Sequence, residues 1–282
     1  MLYKQDMNST RTEMVAHRDG AQWMDNAQQD SWRVNMKTYD FLGTRFMPLT
    51  LEQTQDFVAQ RNEMSKFKYV VTPNVEHIVR MWRETKTYKP LYDGAWLSVC
   101  DSRILEILAK LSGIPLSPVP GSDLTARLFQ HEIKTDEPVN VIGADQEIID
   151  TLRRDFGLTH LNHHEPPWGL KNKPEAIAVC AEFIAAHPAR FTFICVGSPQ
   201  QEMVAQAIEA RGDCTGIGLC VGASLEFLAG RVKRAPKWMQ KARIEWLHRL
   251  ASEPKRLWKR YLLEGPKIFW IWLRWSCGKR LD

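Results

Sequence analysis

Three short stretches carry residue types that can move a proton or hold a phosphate. In Trp96-Leu97-Ser98-Val99-Cys100-Asp101-Ser102-Arg103 an apolar run ends on Asp101, so a carboxylate stands at the tip of an extended segment, just ahead of a helical one. Such a carboxylate suits a general base; it equally suits a cap on the helix that begins near Arg103. Asp123, in Gly121-Ser122-Asp123-Leu124, has the same two readings, and for both residues spacing alone favours the cap. Gly197-Ser198-Pro199-Gln200-Gln201-Glu202 puts small residues and free backbone N–H groups at a helix start, with Ser198 as N-cap and Pro199 in the first helical position, a cradle fit for phosphate. Gly216-Ile217-Gly218-Leu219-Cys220-Val221-Gly222 is spaced G-x-G-x-x-x-G and reads largely as strand, so it is not a dinucleotide fingerprint. Neither G-x-x-x-x-G-K-[ST] nor G-x-S-x-G nor H-E-x-x-H occurs.

No set of metal ligands is evident. Cys100, Cys180, Cys195, Cys214, Cys220 and Cys277 form no C-x-x-C pair, and four lie in apolar runs, as reduced core residues do. His163 and His164 precede Glu165-Pro166-Pro167-Trp168-Gly169; adjacent side chains on extended backbone diverge, so the pair reads as a loop beside a site.

The elements that must position these residues alternate. Residues 67–71, 96–99, 139–142, 191–196 and 216–221 read as strands, and 51–63, 75–85, 104–112, 124–133, 146–156, 175–186 and 200–210 as helices. Strands apolar on both faces between helices predict an α/β fold, a parallel sheet covered on both sides. Asn74, in Thr72-Pro73-Asn74-Val75-Glu76, is the N-cap expected after the first of these strands. In such sheets ligands bind at the carboxyl ends of the strands, where Asn74, Asp101 and Gly197 all fall.

Composition sets the limits. The chain has 282 residues, 44% hydrophobic and 25% charged, an ordinary globular balance. Its net charge of +5 is unevenly spread: residues 231–282 hold 15 Lys and Arg against 4 Asp and Glu, together with six of the 11 tryptophans. A cationic, Trp-rich end suits anionic lipid or nucleic acid. The apolar residues cluster in Ile268-Phe269-Trp270-Ile271-Trp272-Leu273 instead of alternating singly with Lys and Arg, which favours lipid and predicts no nucleic-acid partner. Pro236 predicts a helix with Met239, Ala242, Trp246 and Leu250 on one core-facing stripe, and Pro254 opens another. Polar residues 1–38 predict an extension without the apolar centre of a secretory signal, and no apolar run approaches the ~20 residues of a membrane span, so the expected location is cytoplasmic. Three parts follow: the extension 1–38, an α/β core at 39–232, and a basic helical appendage at 233–282.

From about Tyr39 to Tyr261 the chain resembles the WecG/TagA/CpsF glycosyltransferases, family 26. The carriers are Val71-Thr72-Pro73-Asn74, the strand-end Asp101, Gly121-Ser122-Asp123-Leu124, Pro166-Pro167-x-Gly169 and Gly197-x-Pro199-x-Gln201-Glu202. Above all they include Gly222-Ala223-Ser224-Leu225-Glu226-Phe227-Leu228-Ala229-Gly230-Arg231, continuing through Glu245-Trp246-Leu247-x-Arg249 to Glu253-Pro254-x-Arg256-x-Trp258-x-Arg260-Tyr261.

The resemblance implies a Rossmann-like fold and inverting, metal-independent, cofactor-free transfer of a sugar from a UDP donor to a polyprenyl-diphosphate-linked glycan at the inner face of the cytoplasmic membrane. It makes Asp101 the base and places Thr72, Asn74, Ser102, Arg103, Gly121, Ser122, Asp123, Gly197, Pro199, Gln201, Glu202 and Glu226 around donor and acceptor. Arg256 and Arg260 would complete the site from the appendage. Trp258, Lys259, Lys267, Trp270 and Trp272 would dock it on anionic membrane. The chain departs from many relatives in Cys100-Asp101-Ser102-Arg103, where they carry Pro-Asp-Gly, and in Pro118-Val119-Pro120, where they often carry Arg. This variant looks closest to the GumM-like exopolysaccharide branch, which points to UDP-glucose over UDP-N-acetylmannosamine or its uronic acid.

Overall fold

The computed structural model describes residues 36–232, 235, 236, 239 and 245–278, without the side chains of Glu245 and Arg256. Residues 1–35 of the expected 1–38 extension and the stripe position Ala242 thus lie outside the described residues.

The chain enters through a hairpin, β1 (Tyr39–Phe41) and β2 (Thr44–Phe46), that sequence periodicity misses. Then come α1 (Leu51–Ala59), β3 (Lys68–Val71), α2 (Val75–Arg83), α3 (Thr85–Asp93), β4 (Leu97–Ser98), α4 (Arg103–Leu111) and α5 (Gly121–His131). The second half runs β5 (Val139–Gly143), α6 (Gln146–Phe156), β6 (Leu161–His164), α7 (Pro174–Ala186), β7 (Phe191–Cys195), α8 (Gln200–Arg211), β8 (Ile217–Cys220) and the short α9 (Ser224–Leu228). The last described elements are α10 (Glu245–Ser252), α11 (Pro254–Trp258), a π turn Lys259–Glu264 and α12 (Lys267–Ser276).

Six strands form one parallel sheet in the order β4-β3-β8-β7-β5-β6. Its alternation sorts the core into two layers. Val70, Val139, Val141, Phe191, Phe193, Ile217 and Leu219 face one side, with Phe57, Leu124 and Ile149 from helices. Tyr69, Val71, Ile142, Ile194 and Cys220 face the other, packed by Ile78, Leu105, Ile184, Val204 and, from α12, Ile268 and Ile271. Burial of large apolar side chains on both faces, each contributing roughly 1.5–3 kcal/mol, is what holds such a sheet.

Several readings are corrected. His163 and His164 end an edge strand and not a loop: His163 Nε2 lies 3.2 Å from the Gly143 carbonyl, while His164 stacks on Phe183. Helix α8 begins at Gln200, with Pro199 as its cap residue, so Ser198 does not cap it. Helix α1 stops at Ala59 and not Glu63, and α5 starts at Gly121 and not Leu124. The apolar patch after Pro266 is a helix with two faces: Ile268 and Ile271 are buried, whereas Phe269, Trp270 and Leu273 are exposed.

Candidate active site

Loops after all six strands of the sheet meet in one cleft of about 1190 Å³, which the C-terminal arm borders with Trp246, Arg249, Arg260, Tyr261 and Phe269. One glycine opens its floor. Gly143 ends β5 at φ +87°, and a Cβ there would sit 2.9 Å from the Cys195 carbonyl carbon and oxygen at the end of β7, so any other residue would force these strand ends apart.

Asp101 follows β4 and does not cap α4; Ser102 does, accepting the Leu105 N–H through Oγ at 3.3 Å. The cap is thus supplied one residue later, and the Asp101 carboxylate is left to the cleft. Its backbone is clamped: the Asp101 N–H donates to Pro73 O at 3.0 Å, and Cys100 O accepts from Val119 N at 2.7 Å. Burial pushes the carboxyl up to about 7, opposed by the Arg249 and Arg260 guanidinium groups and by the Gly121 N–H, with Asp123 raising it further. Gly121 opens α5 hard against the strand ends, where a Cβ would come within 3.3 Å of Thr72 Oγ1. Asp123 is not the N-cap, which is Pro120; it stands in the first turn of α5, where a carboxylate suits the helix dipole.

Thr72 and Asn74 follow β3, and both line the cleft. Asn74 caps α2 as expected, its Oδ1 accepting from Glu76 N at 3.0 Å, while His77 Nδ1 accepts the Asn74 N–H at 3.3 Å. Burial and the nearby Arg80 and Arg260 hold His77 well below its usual pKa, so it is neutral, with its proton on Nε2.

After β7, Gly197 and Gln201 line the cleft. Gln201 joins two strand ends: its Oε1 accepts the Gly222 N–H at 2.9 Å and its Nε2 donates to Glu202 Oε1 at 2.9 Å. Glu202 is 1% exposed and does not line the cleft, so it supports Gln201 from behind. Its carboxyl is raised by burial against the hydrogen bonds of Gln201 and Ser198. Pro199 likewise stands back from the lining, whereas Ser102, Arg103, Ser122, Asp123 and Glu226 belong to it. Ser198 Oγ accepts from Arg80 Nη1 at 2.8 Å.

In the arm, Arg260 reaches the cleft and Arg249 joins it. Arg249 has no local signal that marks it as a site residue, because it is one Arg in a basic segment and the Asp101 it influences lies about 150 residues earlier in the chain. The Arg256 side chain lies outside the described residues. Trp258, Lys259, Lys267 and Trp270 are exposed on the outer side, Trp270 by 56%. Trp272 is placed differently: its indole N–H donates to Ser112 Oγ at 2.8 Å and its ring packs on the core. Among the described residues no helix is long and apolar enough to cross a membrane, and no three His, Cys, Asp or Glu side chains gather as metal ligands do.

A half-buried carboxylate whose pKa is raised, a helix N-terminus and two guanidinium groups border one cleft, an arrangement able to accept a proton from a hydroxyl and to hold a phosphate. The profile of the Glycosyl transferase WecG/TagA/CpsF family matches residues 39–281, and the chain belongs to that family. It is therefore a glycosyltransferase of polysaccharide or teichoic-acid-type biosynthesis, with a nucleotide-sugar donor and a lipid-linked acceptor.

Proposed function

We propose that the enzyme is an inverting transferase that moves a sugar from a UDP donor, UDP-glucose before UDP-N-acetylmannosamine or its uronic acid, to a polyprenyl-diphosphate-linked oligosaccharide of bacterial exopolysaccharide. The observation that carries this reading is Asp101, half-buried in a cleft that Arg249 and Arg260 also line and whose charges act on its carboxyl. Asp101 takes the proton of the acceptor hydroxyl as its oxygen attacks the anomeric carbon from the face opposite the leaving group. The bond from that carbon to the diphosphate oxygen breaks, and UDP departs with the charge that the arginines neutralise. This division of labour assigns no step to a metal ion. UDP-glucose follows from resemblance to the GumM-like branch, not from a contact in the cleft.

The appendage would rest on the inner face of the cytoplasmic membrane. Phe269, Trp270, Leu273, Leu262 and Leu263 are each about half exposed, beside Lys259 and Lys267. Apolar burial and attraction to anionic lipid, about 1 kcal/mol per basic residue near the surface, add together there.

The donor is tested by thermal unfolding against a panel of nucleotide sugars, since a ligand bound only by the folded state raises Tm by mass action. UDP-glucose should raise Tm at lower concentration than UDP-N-acetylmannosamine, with EDTA present. The reverse order selects the second donor, and stabilisation only by sugars on another nucleotide rejects the UDP reading.

A further inference from the structure

We propose that Glu76 is a positioning residue, whose carboxylate holds Arg260 of the C-terminal arm in the cleft and fastens it to the loop after β7. The inference rests on the reading of Arg260 as a contact to the donor diphosphate. Glu76 stands in the first turn of α2 and lines the cleft. Each of its oxygens takes one guanidinium: Oε2 lies 2.7 Å from Arg260 Nε, and Oε1 accepts from Arg80 Nη2 at 2.7 Å. Arg80 in turn donates through Nη1 to Ser198 Oγ at 2.8 Å, beside Gly197 in the cleft wall. One carboxylate therefore links a residue of the arm to the candidate phosphate cradle, by a path that crosses three separate segments of chain.

The geometry suits an arginine held ready for use. Engaging Arg260 through Nε occupies one edge of the guanidinium and leaves the terminal nitrogens as a fork for a phosphate. Two cations share one anion, so the cluster keeps a positive charge for an incoming diphosphate. Arg260 lies in the π turn, an irregular piece of helix that packs on α2, so the chain around it fixes its direction less firmly than a strand end would. Glu76 and Arg260 are each about 30% exposed. An ion pair that open to water adds little to stability, so its effect belongs in turnover and not in Tm.

The test is a double-mutant cycle with Glu76→Gln and Arg260→Ala, reading kcat/KM for the donor and the pH profile on a soluble acceptor. Each single change should lower kcat/KM by about 10-fold to 100-fold, the cost of a misplaced binding group. The double variant should fall no more than about 2-fold below Arg260→Ala, because both changes remove one function. The acid limb of the Glu76→Gln profile should move to higher pH, since Arg260 holds the Asp101 carboxyl down; mere loss of a nearby negative charge would move it lower. Multiplicative losses, or a limb moving down, overturn the proposal while leaving the reading of Arg260 in place. Full turnover in Arg260→Ala overturns both. An unchanged Tm of Glu76→Gln without ligand shows the fold intact, so that a lower rate is not unfolding, while the Tm shift caused by UDP should be smaller than in native enzyme; an equal UDP shift overturns the proposal.

Discussion

On the floor of the cleft, Asp101, Gly121 and Gln201 stand on strand ends and helix starts that are bonded to one another: Asp101 N to Pro73 O, Gly121 N–H to the Asp101 carboxylate, and Gln201 Oε1 to Gly222 N. In the arm, Arg249 stands on the short helix α10 and Arg260 in the π turn, tied down by the Glu76 pair, the Trp272–Ser112 hydrogen bond and an edge contact of Trp275 with Phe41. The floor is anchored at strand ends by backbone bonds such as Asp101 N to Pro73 O and Val119 N to Cys100 O, which a side-chain change cannot remove. The arm's placement depends on single side chains, so small changes there should alter geometry before they alter stability.

The largest effect expected from this contrast is on the floor. Asp101→Asn should lower turnover by about 10²–10⁴-fold with UDP binding retained, measured by initial rates and by thermal shift. The same variant has a signed stability test. A carboxyl whose pKa is raised in the folded state from 3.8 to about 7 binds its proton more tightly there than in the unfolded chain, so its contribution weakens as pH climbs between those values. Asparagine carries no such proton; relative to native enzyme, Asp101→Asn should gain Tm on going from pH 5 to pH 8. An unfolded variant at both pH values would make Asp101 a structural residue.

Of intermediate size is the arm's outer face. Replacing Leu263, Trp270 and Leu273 together by Ser should release the protein from anionic liposomes while leaving rates on a soluble acceptor within about 2-fold, because none of the three lies in the core or lines the cleft. Undiminished sedimentation would place the docking surface elsewhere. The smallest effect belongs to Trp272→Phe, which removes one hydrogen bond to Ser112, a loss of about 1 kcal/mol visible as a few degrees of Tm, with liposome binding unchanged. Were Trp272→Phe to weaken liposome binding as much as the triple change, the assignment of inner and outer faces would be reversed.

The same contrast governs what sequence can disclose. Strands β5, β7 and β8 are legible because both their faces are apolar, and Asn74 because a cap is a local matter. Strand β6 escapes because its Asn162-His163-His164 is only half-buried on the sheet edge. The β1–β2 hairpin escapes because Leu42, at φ +55°, occupies a turn position that usually shows itself by Gly or Asn. Pro90 inside α3 hides that helix. In the site, Asp101 and the Gly197 loop stand out because strand ends are predictable places, whereas Glu76 and Arg80 read as an ordinary i,i+4 surface pair. Their importance comes from Arg260 and Ser198, which only folding brings beside them.

Helix α12 has one more consequence, which concerns unfolding. Ile268 and Ile271 share an apolar cluster with Tyr69 and Ile194, so this helix is inner wall and outer surface at once. Its amides should therefore exchange hydrogen as slowly as those of the central strands, opening only when the whole cluster opens. A shortened chain ending before Lys267 is consequently not the same catalyst minus its attachment; it is a molecule with an uncovered wall, prone to self-associate through the face that α12 normally seals.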